Sequence, residues 1–460
     1  MNKPLIMMTH VCRSWRNVLL STASLWTQID FTMSTKSQRE SFLRRSGNQP
    51  LRIYEYLDNE NNIGLFLSTT LKNLSRLQEL KISSCIPGLR HLLMNFHVSA
   101  PELKHLEIAN DVNMTEMDIK LPTIFGGQMQ KLTSLKLLSL RTNLRDFDFP
   151  SLTRFTFDTG TNISIKDLTS FFERCPSLEF IQIDLSYVPQ STTAPPRRRV
   201  CLATLRELKL DQTACAVGLL DQLALPRCTE MTLKGKFADE ALDPRGFPTA
   251  RIHSSSIAHL PPMRGITKAV AMPNSCTFSG PNGTLNFWCF DENRRDFDAE
   301  FFTSFSPISV SQIRELWVGQ RTATFSRVAK KPWKQTTARV RGAFEVLTEV
   351  EDLTIVSCET KPFFTTLGGT VNDEVLLPKL QTITIYIGCG DLDILALIRC
   401  AKARKKHMRP LEEVTVVWED DPEDDVMEEV EPLREFVGEL TQRVGETPKL
   451  SWKGDGCDDR

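Results

Sequence analysis

Residues 77–82 read Leu-Gln-Glu-Leu-Lys-Ile, and residues 103–108 read Leu-Lys-His-Leu-Glu-Ile. Both stretches place apolar side chains at the first, fourth and sixth positions, a pattern that we call the apolar triplet. The last two apolar residues are two positions apart, so on an extended backbone they share one face. The first apolar residue precedes them as an anchor at the turn. The pattern therefore predicts a short strand with one buried face.

The apolar triplet recurs along most of the chain. Before residue 234 it returns at Leu135/Leu138/Leu140, Leu152/Phe155/Phe157, Leu178/Ile181/Ile183, Leu205/Leu208/Leu210 and Cys228/Met231/Leu233. After residue 312 it returns at Ile313/Leu316/Val318, Val350/Leu353/Ile355, Leu380/Ile383/Ile385 and Leu411/Val414/Val416. One such unit cannot bury its own apolar face, whereas a stack of units buries a continuous core.

Helical return segments lie between some of the triplets. Residues 164–172, 338–347 and 392–401 carry apolar side chains at helical spacing. Residues 234–312 hold only weak echoes, Phe247/Ala250/Ile252 and Leu285/Trp288/Phe290, and we expect degenerate repeats with longer loops there. Residues 186–200, SYVPQSTTAPPRRRV, are rich in Pro, Ser and Thr and predict a loop insertion.

The Leu-x-x-Leu-x-Leu spacing resembles the leucine-rich repeat, in which a strand and a return segment recur every 20–29 residues. This resemblance implies an α/β fold: a leucine-rich-repeat-like solenoid of parallel strands with helical or irregular return segments, over residues 56–418. The alternative is an ordinary α/β domain in which strands and helices alternate.

The N-terminal residues have a different pattern. Val11, Trp15, Val18 and Leu19 fall on one stripe of a helix, and Leu25-Trp26 follow as two large apolar residues. By spacing alone, this stretch fits the first helix of a larger domain equally well. So short a module has little core of its own, so its apolar residues need a partner surface.

Residues 11–31, VCRSWRNVLLSTASLWTQIDF, resemble the second half of an F-box, and residues 42–56, FLRRSGNQPLRIYEY, are similar to the segment that follows it in many fungal F-box proteins. The family's module begins with a Leu-Pro and a further helix, so we expect residues 1–55 to hold a partial F-box and a connecting segment. The resemblance implies that Val11, Cys12, Trp15, Leu25 and Trp26 are adaptor-contact or module-core residues, without dividing the two roles.

The same resemblance implies a function. The chain would be the substrate-recognition subunit of a cullin–RING (SCF-type) ubiquitin ligase, bound to a Skp-type adaptor and through it to a cullin. A target protein, unidentified by the sequence, would contact variable strand positions such as Arg206, Glu207, Lys209, Glu315 and Trp317. The alternatives are a non-catalytic repeat scaffold that has lost adaptor binding and, third, an unrecognised enzyme.

Composition and the absence of enzyme motifs restrict the classes of function. The net charge of −1 over 460 residues gives no general attraction for nucleic acid or membrane. Twelve cysteines without a Cys-x-x-Cys pair, and no N-terminal apolar run of signal-peptide length, favour reduced thiols in cytoplasm or nucleus. Phosphate-loop, zinc-protease and nucleophile-elbow motifs are missing, so we expect no catalytic residues, cofactor or metal.

The C-terminal residues 419–460 complete the predicted organisation. Residues 419–425 form an acidic run that predicts a hinge. Val430, Leu433, Val437 and Leu440 follow at helical spacing and predict a helix that caps the repeats. We expect the last residues to be a disordered tail.

Overall fold

The computed structural model describes residues 3–57, 63–85, 89–110, 121–127, 129–140, 142–158, 163–185, 198–211, 213–235, 260–272, 275–289, 310–319, 337–356, 360–371, 374–387, 392–418 and 429–445. The protein is a mixed α/β chain whose strands are mostly parallel. Its contacts divide it into two compact units, Met1–Cys228 (unit 1) and Thr229–Arg460 (unit 2). This division falls inside the stretch 56–418 that the sequence predicted as a single repeat region.

Unit 1 begins with helices and continues as strands joined by return segments. Its helices are α1 (Lys3–Met8), α2 (Arg13–Ser21), α3 (Lys36–Ser46), α4 (Ile63–Lys72), α5 (Leu89–Met94), α6 (Ile165–Glu173) and α7 (Thr213–Leu220). Its strands are β1 (Gln28–Asp30), β2 (Leu51–Leu57), β3 (Leu77–Ser84), β4 (His105–Asn110), β5 (Ser134–Leu138), β6 (Arg154–Asp158), β7 (Phe180–Asp184), β8 (Val200–Cys201), β9 (Glu207–Asp211) and β10 (Leu223–Ala224).

The main sheet of unit 1 is parallel and follows chain order. Strands β1 to β7 and then β9 each pair with the next, while β8 pairs separately with β10. The middle residues of the triplets lie in register across it as Ile29, Ile53, Leu80, Leu106, Leu135, Phe155, Ile181 and Leu208. All eight are buried. The spacing therefore encodes one continuous apolar row, which stabilises the stack because each strand covers its neighbours.

Unit 2 has the same kinds of element. Its strands are β11 (Glu230–Gly235), β12 (Lys268–Met272), β13 (Ser275–Gly280), β14 (Gly283–Cys289), β15 (Glu315–Gly319), β16 (Asp352–Val356), β17 (Thr370–Val371), β18 (Glu374–Val375), β19 (Thr382–Ile387), β20 (Leu411–Trp418) and β21 (Val437–Val444). Its helices are α8 (Thr337–Val346), α9 (Lys361–Leu367) and α10 (Ile394–Lys406).

The sheet of unit 2 contains an antiparallel segment. Strands β12, β13 and β14 form a meander, and β11 pairs with β14 in parallel. From β12 the order runs through β15, β16, β19, β20 and β21, all parallel. A two-residue turn between Gly280 and Gly283 replaces a return segment. Gly283 has φ +135, and a Cβ there would lie 2.2 Å from the Thr229 carbonyl oxygen, so only glycine fits.

The predicted return helices are confirmed as α6, α8 and α10. Ser164 is the N-cap of helix α6, and its hydroxyl accepts from the Asp167 backbone N–H at 3.1 Å. Asp393 caps α10 in the same way, accepting from Ala396 N–H at 2.8 Å. Such caps satisfy backbone donors that the first helical turn leaves unpaired.

Two triplet predictions were wrong in register. Leu135 pairs with Leu106 and Phe155, so the true triplet is Leu132/Leu135/Leu137 and not Leu135/Leu138/Leu140. The run of five apolar residues between 132 and 140 allows both spacings. In β14, Leu285 shares its face with Phe287 rather than Trp288, because Leu285 and Phe287 lie opposite Met231 and Leu233. The Phe247/Ala250/Ile252 echo lies outside the described residues.

The predicted capping helix at 430–440 was also wrong. A short 3₁₀ helix spans Glu431–Glu435, and Val437–Val444 forms strand β21 beside β20. Pro432 fits only a first helical turn, and residues 437–444 pair as one more strand. Arg434, on the 3₁₀ helix, donates to the Leu440 carbonyl oxygen at 3.3 Å and so satisfies one backbone group of β21. Residues 419–428, which include the acidic run 419–425, the tail 446–460 and most of the 186–200 insertion lie outside the described residues.

Candidate functional site

Helix α2 presents an apolar face to solvent. None of its residues is buried, and Trp15 and Val18 are 52 % and 60 % exposed, with Val11 just before the helix at 64 %. Leu25 and the α1 residues Met7 and Met8 add to the exposed apolar area. Apolar side chains gathered in this way are typical of a surface that binds a partner.

Local hydrogen bonds fix both ends of α2. Cys12 is the N-cap, and its sulfur accepts from the Trp15 backbone N–H at 3.5 Å. At the other end, the Thr22 hydroxyl donates to the Val18 carbonyl oxygen at 2.7 Å. Arg16 reaches back and donates to the Thr9 carbonyl oxygen at 2.8 Å. Cys12 therefore has a structural role, while the apolar face stays exposed.

Trp26, in contrast, is completely buried. Its indole N–H donates to the Leu19 carbonyl oxygen at 2.8 Å, and its ring lies 5.2 Å from that of Phe42 on α3. The Arg45 guanidinium covers the ring at 4.5 Å. Trp26 thus joins the end of α2 to α3 and belongs to the core.

The position of Trp26 also shows a repeat that the sequence reading missed. Trp26, Ile29 and Phe31 have the spacing of the apolar triplet, all three are buried, and Ile29 pairs with Ile53 of β2. The aromatic first residue and the resemblance of this stretch to an F-box concealed the pattern. The candidate residues therefore divide into a core residue, Trp26, a cap, Cys12, and three exposed residues, Val11, Trp15 and Leu25.

The polar face of the unit 1 sheet is a second candidate surface. Lys81 lies between Glu79 and Glu107, at 3.4 Å and 3.6 Å, and Lys136 approaches Glu107 at 2.7 Å. Burial, and then the nearby Glu79 carboxylate, raise the pKa of Tyr54. Residues at alternate strand positions thus form a ladder of charges opposite the apolar face.

A groove of about 250 Å³ lies within this polar face. His105, Ser134, Arg154 and Thr156 line it together with the ion-paired residues of the ladder. The Arg154 guanidinium stacks over the Phe180 ring at 4.3 Å. The sequence reading did not select these residues, because each belongs to a different strand and only the register brings them together.

An acidic row lies at the carboxyl ends of the last strands of unit 1. Asp158, Asp184 and Asp211 pair in register on β6, β7 and β9. Burial, and then repulsion by Asp184, raise the pKa of Asp158, while a 3.4 Å hydrogen bond from the Ser139 hydroxyl opposes the shift. The sequence contains the signal, since an aspartate directly follows the last apolar residue of three successive triplets.

The five predicted target-facing residues fall in both units. In unit 1, Lys209 pairs with Glu207 at 2.8 Å on β9, and Arg206 is exposed just before that strand. In unit 2, Glu315 accepts from Lys268 and from the Trp317 indole N–H, both at 2.6 Å. Lys268 also lies 4.5 Å from the centre of the Trp317 ring. Each strand position predicted to face outward has its side chain at least partly accessible.

Among the described residues there is no group of three or more His, Cys, Asp or Glu side chains that could hold a metal ion. Nor does any helix in the described ranges have the length and apolar character needed to cross a membrane. Comparison with known protein families and with curated proteins finds no match to this sequence.

Proposed function

We propose that this chain is the substrate-recognition subunit of a cullin–RING ubiquitin ligase of the SCF type, active in the cytoplasm or nucleus. Its N-terminal helices would bind a Skp-type adaptor and through it a cullin. The observation that carries the proposal is the exposed apolar surface of α2 and the residue before it: Val11 and Trp15 match F-box positions and are both more than half exposed.

The strand register supports the second half of the proposal. Consecutive parallel strands with triplets in register are what a leucine-rich-repeat-like solenoid requires. We include that solenoid in the proposal as the part that presents polar strand positions to a target protein. The antiparallel strands β12–β14 depart from a regular repeat.

The test is binding of the full chain to a purified Skp-type adaptor, measured by calorimetry. We expect 1:1 binding, and we expect Trp15→Ala to weaken it roughly thirtyfold, since a central aromatic contact contributes about 2 kcal/mol or more. Met408→Ala is the matched control, because Met408 is 84 % exposed and lies in unit 2.

A wild-type chain that binds no adaptor would contradict the proposal and leave the scaffold function. Equal affinities for wild type and Trp15→Ala would show that α2 is not the docking surface. Circular dichroism of each variant verifies that a lost interaction is not lost folding.

A further inference from the structure

Positive charge exceeds negative charge in two rows of the unit 1 polar face. The first two outward positions of strands β2 to β9 carry the cations Arg52, Lys81, Lys136, Arg154 and Lys209 and the carboxylates Glu79, Glu107 and Glu207. Each of these carboxylates has a cation within 4.0 Å. Four of the five cations share these three carboxylates, so among the described residues Arg154 is the cation left without a carboxylate partner.

Arg154 carries the unbalanced positive charge of these two rows. It forms no ion pair with a carboxylate of the described residues, and its guanidinium rests on the Phe180 ring. A guanidinium stacked by its face keeps the N–H donors at its edge available in a fixed fork. That fork fits two oxygens of one oxyanion.

The neighbours of Arg154 in the groove complete a set of donors. Ser134 pairs with Arg154 in register, and Lys136 pairs with Thr156 one row further. These four side chains belong to two adjacent strands, and the backbones of adjacent strands lie about 4.8 Å apart. The groove thus offers a guanidinium and two hydroxyl groups, together with the Lys136 ammonium, which also pairs with Glu107 at 2.7 Å. Glu79 and Glu107 are the carboxylates in the lining of the groove.

We infer that this groove binds an oxyanion carried by a target polypeptide, either the phosphoryl group of a phosphorylated residue or a carboxylate. Arg154 holds it by two hydrogen bonds, with Lys136, Ser134 and Thr156 as further donors. The inference rests on the proposed function in one respect: that function makes the carrier of the anion a target protein. The row of Asp158, Asp184 and Asp211 lies further along the strands and repels an anion placed there, so it limits the site to the Arg154 end of the groove.

The experiment uses the full chain and two small probes, N-acetyl-phosphoserine amide and N-acetyl-glutamate amide, at constant ionic strength. A ligand that binds only the folded state raises the Tm, by about 2–4 °C at roughly ten times its Kd. We expect one of the probes to do so, and the stronger of the two identifies the anion. If neither raises the Tm, the inference is wrong.

The variants assign the effect to the groove. We expect Arg154→Gln to weaken binding at least about tenfold and Arg154→Lys to fall between it and wild type, because lysine keeps the charge but loses the fork. Arg145→Gln is the matched control: it removes the same charge in unit 1 from a side chain that pairs with Asp167 on α6. If Arg154→Gln and Arg145→Gln weakened binding equally, the effect would come from the net charge of the chain and not from the groove. That result would overturn the inference.

Two further features keep the test decisive. Lys136→Gln is a second variant that must also weaken binding, and it replaces Arg154→Gln if that protein does not fold. No adaptor takes part in the titration. A failed titration therefore leaves adaptor binding intact, and a failed adaptor assay leaves the anion site intact.

Discussion

At the scale of single residues, the two tryptophans of the F-box-like stretch have opposite roles. Trp26 is buried against Phe42 and Arg45, whereas half of the Trp15 side chain is in solvent. We expect Trp26→Ala to lower the free energy of unfolding by about 3–5 kcal/mol, because it leaves a large cavity. Trp15→Ala should change it by less than about 0.5 kcal/mol. Urea titrations followed by circular dichroism measure both, and equal losses would contradict the division of roles.

The acidic row gives a prediction of pH dependence. Because burial and Asp184 raise the pKa of Asp158 in the folded state, the folded chain binds that proton more tightly than the unfolded chain. The stability linked to this proton is fully present at a pH below the usual pKa of aspartate. It is lost as the pH rises through the raised pKa of Asp158. We therefore expect Asp158→Asn to stabilise the protein at pH 7 by about 0.5 kcal/mol, because it removes one of two like charges that face each other on neighbouring strands. At pH 3 we expect no stabilisation.

Asp167 is the control for that measurement, with the opposite sign. Burial raises its pKa, but the Ser164 hydroxyl and the Arg145 guanidinium, each 2.7 Å away, bring it below the usual value. Its contribution to stability is fully present at a pH above the usual pKa of aspartate. It is lost as the pH falls through the lowered pKa of Asp167. Asp167→Asn should therefore destabilise at pH 7, so matching profiles for the two variants would disprove the assigned causes.

At the scale of elements, strand β21 depends on one small residue. A Cβ on Gly438 would lie 2.5 Å from the Glu412 carbonyl oxygen of β20. We expect Gly438→Ala to destabilise unit 2 by about 1–3 kcal/mol, as other steric insertions do. Gly64→Ala in α4 is the control, because no atom lies within 4 Å of its Cβ, and it should stabilise by roughly 0.5–1 kcal/mol. Thermal unfolding of both variants tests whether β21 is a tightly packed strand.

The same strand shows how far sequence reasoning reaches. Triplets of large apolar residues located most strands correctly, because a period of two on one buried face has few alternatives. Val430 and Leu433 also fit a helix, and the strand pairing of 437–444 is a tertiary contact that no local pattern contains. Strand β12 was missed because its triplet, Ile266/Ala269/Ala271, uses alanines, although Ala269 and Ala271 lie opposite Leu316 and Val318. Small residues hide a repeat when large neighbours fill the space.

Another stretch shows why surface sites are harder to predict than strands. The last turn of α10 is basic, with Arg404, Lys405 and Lys406. Yet Arg404 is completely buried and donates to the carbonyl oxygens of Leu376, Leu377 and Leu380. Lys405 donates to the Glu435 carbonyl oxygen at 2.6 Å. Charge alone did not distinguish these structural cations from Arg154, because the difference depends on the partners that folding provides.

At the scale of the whole molecule, the proposed adaptor surface and the oxyanion groove both belong to unit 1. Helix α2 precedes β1, and the groove lies on β3 to β6. Five strand spacings, roughly 24 Å, separate β1 from β6, which carries Arg154. No groove-lining residue belongs to the N-terminal helices. Sites this far apart without shared partners contribute additively.

We therefore expect the two surfaces to bind independently. Trp15→Ala should leave the Tm shift caused by the anionic probe unchanged, and Arg154→Gln should leave adaptor affinity within about twofold of wild type. Saturating the groove with probe should likewise leave the adaptor Kd unchanged, since a ligand changes a second site only through a difference in affinity between two states. A larger change in adaptor Kd, matched reciprocally in probe affinity, would show that unit 1 has two conformations and that target binding regulates docking. Unchanged affinities would instead show that the two surfaces of unit 1 have no coupling free energy between them.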